Sequence, residues 1–597
     1  MTARAAARGL PLLAVAAGAI VAVGLAVAAR RANGADGFPL DDAWIHLTYA
    51  RTLAETGRFA YGPWDPVSSG STSPLYTMIL AAGIRAVPSE KVLALALGLL
   101  FQTGFLAAVA AWARARGEPP GSVAVAVLLC GLDPRLAALA ASGMETSLFL
   151  LAIAVAFWAH ASARGRTAAA ALGLAAWVRP EALLLAAVIG IDLLMSRTRP
   201  RPGALVAFAA LVAGYVGFNL ALGGRWLPST FAAKTAYYGA ISREAFLRSD
   251  VLPLVATGAW IVLAPFLVVG IVRAAGAPRL RAEAGWIVAL PLAYALVLPF
   301  GHRFDRYLVP VLPAAAIVGV AAARHLLDRV APRRAATVAL LGVGVLLAIP
   351  AARTGARSYV ALCRYHQVRH EAAGRWLAAN TSPDAVVATH DIGAIAYYSR
   401  RRIVDVAGLV LDEAIAHLRD TDPTPYLADL FTRRAVTHVA ALRNWLEVDN
   451  VEPAFVADPS PEILEIYPWD PARTHLVPPA ASRREQEGVA QLLAGDLDAA
   501  IASFDRAIEA DPGSARIRLL SGNAYATARR LDRAEAAYRE AIALAPSLGE
   551  PRYRLATVLA ATGRREEARA IARELRLEGR ELSIPRLAEF EAALGVP

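Results

Sequence analysis

Apolar blocks of about 17 to 24 residues, separated by short polar loops, fill the first 352 residues of the chain. Wound as a helix, a block of that length matches a hydrocarbon core of ~30 Å, where every backbone polar group must be satisfied within the segment. The pattern therefore predicts a polytopic bundle of membrane helices. Composition agrees, with 56% apolar and only 19% charged residues in a chain of 597. Candidate spans lie near 10–29, 91–113, 121–140, 145–162, 167–179, 181–196, 204–222, 251–274, 284–300, 307–323 and 335–352.

The net charge of +11 does not mark a nucleic-acid-binding face, because the arginines of this region sit in short loops. With the N-terminus cytoplasmic, Arg114/Arg116, Arg164/Arg166, Arg197/Arg199/Arg201, Arg273/Arg279/Arg281 and Arg324/Arg329/Arg333/Arg334 all fall inside, as the positive-inside rule requires. Arg4 and Arg8 precede the first block as in a signal peptide, but its length suits a retained anchor. About eleven spans then place the C-terminal region outside the cytoplasm of an inner-membrane protein. Cys130 and Cys363 supply no disulfide framework.

This threading gathers the unusual polar stretches on the outer side: Asp41-Asp42, the "SSGSTSP" loop, "SGMETS" (142–147), the Arg179-Pro180-Glu181 turn, "GGRWLPSTFAAKTAYYG" (223–239) and "GHRFDRY" (301–307). Residues 74–88 are too short to span and read as an interfacial helix on the same side. Together these stretches predict an extracytoplasmic cavity between residues 1 and 352.

Residues 353–480 change character. "DAVVATHDIGAIAYYSRRRIVDVAGLV" reads as strand, helix, strand, and "RRAVTHVAAL" adds a further strand, predicting a small α/β domain. From 481 to 580 a 34-residue period appears: Gly488, Ala500, Phe504, Ala507 and Pro512 recur as Gly522, Ala534, Tyr538, Ala541 and Pro546. A third copy keeps Ala556 and Ala568. Small residues for close helix packing, an aromatic for the groove and a terminating proline are the tetratricopeptide (TPR) signature. Residues 581–597 form a helical tail.

The chemistry the outer face can carry follows from its residue types. A carboxylate at Asp41 or Asp42 suits a general base that takes a proton from an acceptor hydroxyl. The competing role for either is an N-cap, since "LDDAWIHLTYARTLAE" opens a helix. Arg179, Lys234, His302, Arg303 and Arg306 could stabilise charge developing on a leaving phosphate; for Arg303 and Arg306 the alternative is snorkelling to headgroups. Glu145 could bind sugar hydroxyls, neutralise an arginine or simply favour the helix N-terminus; Glu181 forms a charge pair with Arg179, and Ser71 and Thr72, in the loop 68–73, could hydrogen-bond a sugar or phosphate. His390 and Asp391 follow a strand and read as a satisfied turn. No His/Cys spacing suggests zinc, and no glycine-rich phosphate loop suggests nucleotide hydrolysis.

"LDDAWIHLTYARTLAETGRFAY…SSGSTSPLYTMILA", "SGMETSLFLLAI", "WVRPEALLLA", "PSTFAAKTAYYG" and "DIGAIAYYSRRRIVDVAGL" resemble the bacterial GT-C superfamily, and within it the branch of cell-wall arabinofuranosyltransferases. The resemblance covers most of residues 10–410. It implies an integral membrane glycosyltransferase that uses a polyprenyl-phosphate-linked sugar, commonly with inversion, and whose first outer loop carries the catalytic acid. Asp41 or Asp42 would then be the base, and Arg179, Arg303 or Arg306 would hold the lipid phosphate. Relatives have an acidic-Gly-aromatic run before T-S-P-L where this chain has Ser69 and Ser71, which leaves the sugar open. The family shares no single metal requirement, so a divalent metal stays open and no metal ligand is assigned. The acceptor is a glycan, lipid or protein of the envelope, with the TPR segment offered to a protein partner. The alternative is a non-catalytic membrane scaffold that recruits envelope proteins through its repeats. A lipid-linked-sugar transporter would need charges along a path through the membrane, whereas here they gather on one side.

Overall fold

The computed structural model describes residues 3–276, 278–328, 333–457, 462–580 and 584–595. The chain forms two compact units. The first comprises residues 1–371 with 392–397 and 407–415, and the second residues 372–391, 398–406 and 416–597.

The first unit is helical. Among the described residues, four helices are long and apolar enough to cross a membrane: Gly9–Asn33, Glu90–Ala115, Pro202–Gly223 and Arg303–Leu327. Two further candidates are bent pairs, Pro120–Gly131 with Pro134–Ala140 at 64° and Arg243–Ala256 with Trp260–Ala274 at 102°. The chain is an integral membrane protein. Four blocks read as spans are shorter helices: Thr146–Ala161, Gly165–Val178, Glu181–Met195 and Arg281–Val297 have 16, 14, 15 and 17 residues, below the ~20 of a straight crossing. Where 121–140 reads as one span, Asp133 interrupts it. Its carboxylate caps the second helix, accepting the Arg135 and Leu136 N–H groups at 2.8 and 3.2 Å, and Pro134 cannot continue the first helix. The helix Arg333–His366 runs on through residue 353.

The helix from Leu312 to Leu327 is buried along most of its length, at the centre of this unit. The first helix meets the 120–131 helix at a glycine pair: a Cβ on Gly18 would lie 2.7 Å from the Gly131 Cα and 2.6 Å from a Leu106 methyl. Backbones that close admit no side chain between them.

The second unit carries a five-stranded sheet and the repeats. Its strands are β1 (Val386–Thr389), β2 (Arg402–Asp405), β3 (His438–Leu442), β4 (Val448–Asp449), β5 (Phe455–Val456), β6 (Leu464–Pro468) and β7 (His475–Leu476). The sheet order is β2-β1-β3-β6-β5, with β1 parallel to β2 and β3, and β6 antiparallel to β3 and β5; β4 pairs with β7. Helix pairs follow from Pro479 to Leu577, then a short helix, Leu587–Leu594. In the first pair a Cβ on Gly488 would lie 2.8 Å from the Phe504 ring, and in the second Gly522 faces Tyr538 in the same way. Ala556 and Ala568 of the third copy are fully buried.

Charged and polar bonds tie the repeats to the β4–β7 region. Ser514 donates to Asp449 at 2.5 Å, Asn450 donates to the Gly513 carbonyl at 2.9 Å, and Arg516 pairs with Glu447 and Glu485. His475 Nε2 lies 2.9 and 2.8 Å from the two Asp511 oxygens.

Two predictions follow from this packing. Gly18→Val overpacks the glycine pair and lowers unfolding stability in detergent by about 1–3 kcal/mol, as a thermal melt reads it. The Asp511 hydrogen bond, opposed by partial burial, raises the His475 imidazole above its ordinary 6.5. Its stabilising share is therefore complete below that value and is lost as pH rises through the raised one. Amide-exchange protection of residues 511–517 falls as pH rises above 6.5, and His475→Phe removes that dependence.

Candidate functional site

Asp41 and Asp42 are consecutive helical residues, so their side chains diverge by about 100° around the axis. Asp41 turns its carboxylate to the N-terminus of another helix and accepts the Gly393 and Ala394 N–H groups at 2.7 and 2.8 Å. It is a cap, but of the helix Ile392–Ser399 and not of its own. Gly393 is required there, because a Cβ would collide with the Asp41 carbonyl and carboxylate.

Asp42 points the other way. Its Oδ2 accepts from Arg306 at 2.5 Å and from Lys234 at 3.0 Å. The Tyr307 hydroxyl accepts from the same two cations at 3.2 and 3.1 Å. Burial alone would raise the Asp42 carboxyl, but Lys234 and Arg306 outweigh it and hold the group well below the carboxylate range. Burial is the strongest single influence on Lys234 and opposes its charge, but Asp42 and Tyr307 together outweigh it and raise the amine above its ordinary value.

A second tier stands behind this one. Arg179 precedes Pro180, which excludes it from helical geometry, and its φ of −154° and ψ of 135° break the chain between two helices. From that break its guanidinium pairs with Glu181, donates to the Arg306 carbonyl at 3.1 Å and to the Tyr294 hydroxyl at 3.3 Å, and lies 3.9 Å from Glu145. Glu145 also faces His46 at 3.3 Å. His46 in turn contacts Ser71 at 3.1 Å, and Ser71 contacts Thr77 at 2.8 Å. Ser71 is thus fully buried in a supporting chain, while its neighbour Thr72 lines the cavity.

The loop 301–307 sorts its own charges. His302, Phe304 and Asp305 have φ of 61°, 57° and 50°, a left-handed run that non-glycine residues adopt at a cost of order 1–3 kcal/mol each. Arg306 leaves this loop into the cluster. Arg303 does not join it; it is exposed, with its guanidinium 5.6 Å from the Tyr365 ring centre. The His302 ring packs edge-on to Tyr307 at 5.4 Å. Burial, with the positive charges of Arg306 and Lys234, lowers its pKa well below the ordinary value and keeps it neutral.

These groups close one end of a cavity of about 300 Å³. Glu145, Arg179, Lys234 and Arg306 line the polar end, and Leu183, Leu184, Phe231, Leu290, Val297 and Leu298 supply apolar wall. The shape and polarity fit an amphiphile with an anionic head. A larger cavity of about 590 Å³ elsewhere in the unit has as its polar floor Asp133 and Arg135, already paired with each other at 2.7 Å, and none of the Asp42 group.

The structure therefore brings together Asp42, Glu145, Arg179, Glu181, Lys234 and Arg306, with Thr72 on the wall and His302 beside Tyr307. Asp41, Arg303 and Ser71 lie outside the cavity. Tyr307, Tyr294 and His46 were missed by the sequence reading. Tyr307 closes the "GHRFDRY" stretch and Tyr294 puts one hydroxyl into an apolar block, and each is a weak signal alone. Among the described residues no three His, Cys, Asp or Glu side chains converge as a metal site.

Comparison with known proteins bears on the fold. The crystal structure of ArnT from Cupriavidus metallidurans bound to undecaprenyl phosphate is similar over 76% of this chain and 97% of that one, at 16% identity and a TM-score of 0.50. The apo oligosaccharyltransferase of Archaeoglobus fulgidus aligns over 72% of this chain and 69% of its own, at 12% identity and a TM-score of 0.49. Residues 358–487 match a family model described as a domain of unknown function (DUF8728), and residues 486–548 and 526–594 match tetratricopeptide repeat models. No curated protein matches the sequence. In fold, the chain is similar to the ArnT membrane protein, and its C-terminal residues carry tetratricopeptide repeats.

Proposed function

We propose that the protein is a GT-C glycosyltransferase that moves a sugar from a polyprenyl-phosphate donor to an extracytoplasmic glycan, lipid or protein acceptor. The observation that carries this reading is a cavity whose apolar wall ends at Lys234 and Arg306, the two cations that hold Asp42. An apolar chain along Leu183, Leu290 and Val297 brings its phosphate to the two cations. The similarity to a structure bound to undecaprenyl phosphate supports that donor class.

In this reading Asp42 is the general base. It takes the acceptor's hydroxyl proton while that oxygen attacks the anomeric carbon, and the sugar–phosphate bond breaks with its electron pair passing to the phosphate. Attack opposite the leaving group inverts the anomeric centre. Arg306 and Lys234 stabilise the developing phosphate charge, Tyr307 holds the two cations together, and Arg179 with Glu145 and Glu181 fixes Arg306 from behind. About eleven crossings with a cytoplasmic N-terminus set the cavity, the sheet domain and the repeats outside the cytoplasm of the inner membrane, where the repeats are available to an envelope protein.

The test is sugar transfer by the purified full-length protein from a panel of polyprenyl-phosphate sugars. Asp42→Asn lowers the rate by about 10²–10⁴-fold, and Lys234→Met lowers it by about 10²–10³-fold. Asp41→Ala, which removes a helix cap, keeps transfer within a few-fold but costs about 1–2 kcal/mol of stability. Full activity in a folded Asp42→Asn protein overturns the assignment of the base. No transfer from any donor by the unaltered protein, with an envelope extract present as acceptor, turns the reading to a scaffold.

A further inference from the structure

The Asp42 carboxylate occupies the same two cations that the proposed function gives to the donor phosphate. Both Arg306 and Lys234 bind one oxygen of Asp42, at 2.5 and 3.0 Å. Their shared neighbour, the Tyr307 hydroxyl, carries no formal charge. Arg179 offers no spare charge, being committed to Glu181 and Glu145. Three cations thus face three carboxylates within the cluster, and an arriving phosphate finds no surplus positive charge.

We infer that base and phosphate share Arg306 and Lys234 by exchange, so that donor binding itself arms Asp42. This rests on the reading of Asp42 as the base. In the free protein the two cations hold the carboxylate weakly basic. An incoming phosphodiester, with one negative charge, draws them toward itself and releases Asp42 to accept a proton.

The charge then balances through the reaction. Before transfer the pair of cations serves one carboxylate charge and one phosphodiester charge. As the acceptor O–H bond breaks, the proton goes to Asp42 and neutralises it. As the anomeric carbon–phosphate oxygen bond breaks, its electron pair gives the polyprenyl phosphate a second negative charge. The total stays at two, and it moves from the carboxylate to the phosphate across the same guanidinium and ammonium. No cation has to enter or leave. Product release follows when Asp42 loses its proton and competes again for Arg306 and Lys234. The coupling is reciprocal, since whatever phosphate does to the proton affinity of Asp42, the proton does to phosphate affinity.

The test is equilibrium binding of a polyprenyl phosphate to the full-length protein in detergent, with the corresponding polyprenol as the uncharged control. Asp42→Asn imitates the protonated base, so it binds polyprenyl phosphate at least about tenfold more tightly than the unaltered protein, equivalent to about 1.4 kcal/mol, and binds polyprenol equally. Equal or weaker binding of the phosphate by this variant overturns the exchange. Lys234→Met, which does not depend on the folding of the first variant, binds polyprenyl phosphate about tenfold more weakly and polyprenol unchanged; unaltered phosphate binding there also overturns it. Measuring transfer on the same samples separates the two ideas. Lost transfer without tighter binding in Asp42→Asn overturns the exchange and keeps the base, whereas tighter binding with transfer intact overturns the base.

Discussion

A charge removed from water must find its opposite, and the Asp42–Arg306–Lys234 triangle is where the membrane unit meets that demand. Arg306 is only 3% exposed at its side chain, and a buried guanidinium without a partner costs several kcal/mol. Its carboxylate partner, Asp42, lies 264 residues away in sequence, and the same carboxylate is shared with Lys234 of a third helix. Three distant parts of the chain are fixed against one another by this requirement. The break at Arg179-Pro180 and the left-handed loop at 302–305 make sense in the same terms, because each places an arginine where a regular helix would not.

The apolar end of the cavity follows from a different constraint. Helices packed in a bilayer gain nothing from hiding apolar side chains from lipid, so a cleft lined with leucines is not driven to collapse as it would be in water. Short helices such as Gly165–Val178 and Glu181–Met195 leave room beside the polar cluster that full-length spans would fill. Fold and site are linked at this point: the helix Glu181–Met195, short for a straight crossing, supplies Leu183 and Leu184 to the cavity wall.

Much of this was legible in the sequence, because the signals are local. Apolar blocks, the 34-residue spacing and the strand-like runs report on neighbours in the chain, and the GT-C motifs pointed to the correct fold. The outer-side polar stretches named six of the residues that converge on the cavity. What the sequence did not carry was direction. Asp41 and Asp42 are chemically identical and differ only by one helical step, which sends one to a cap and the other to Arg306. Arg303 and Arg306 differ by the positive φ values between them, which no propensity of Phe304 or Asp305 announces. The interruption of 121–140 was written in Asp133-Pro134, yet a run that apolar outweighs a single capping residue in a hydropathy reading. Ser71, chosen as a substrate-binding hydroxyl, is held inside by His46 and Thr77, a partnership visible only in three dimensions.

The cap made by Asp41 has a consequence in time. The backbone groups it binds belong to residues 352 and 353 positions further along the chain, and the same late segment receives Arg51 through the Tyr397 carbonyl and Tyr61 through that of Ile392. While the polypeptide is being made, the helix bearing Asp42 is among the first parts to emerge, and its fastening follows only after every candidate span. A chain halted before residue 394 holds its membrane helices but lacks the piece that secures the adjoining aspartate. Synthesis past residue 394 is thereby written into the placement of the helix that bears Asp42.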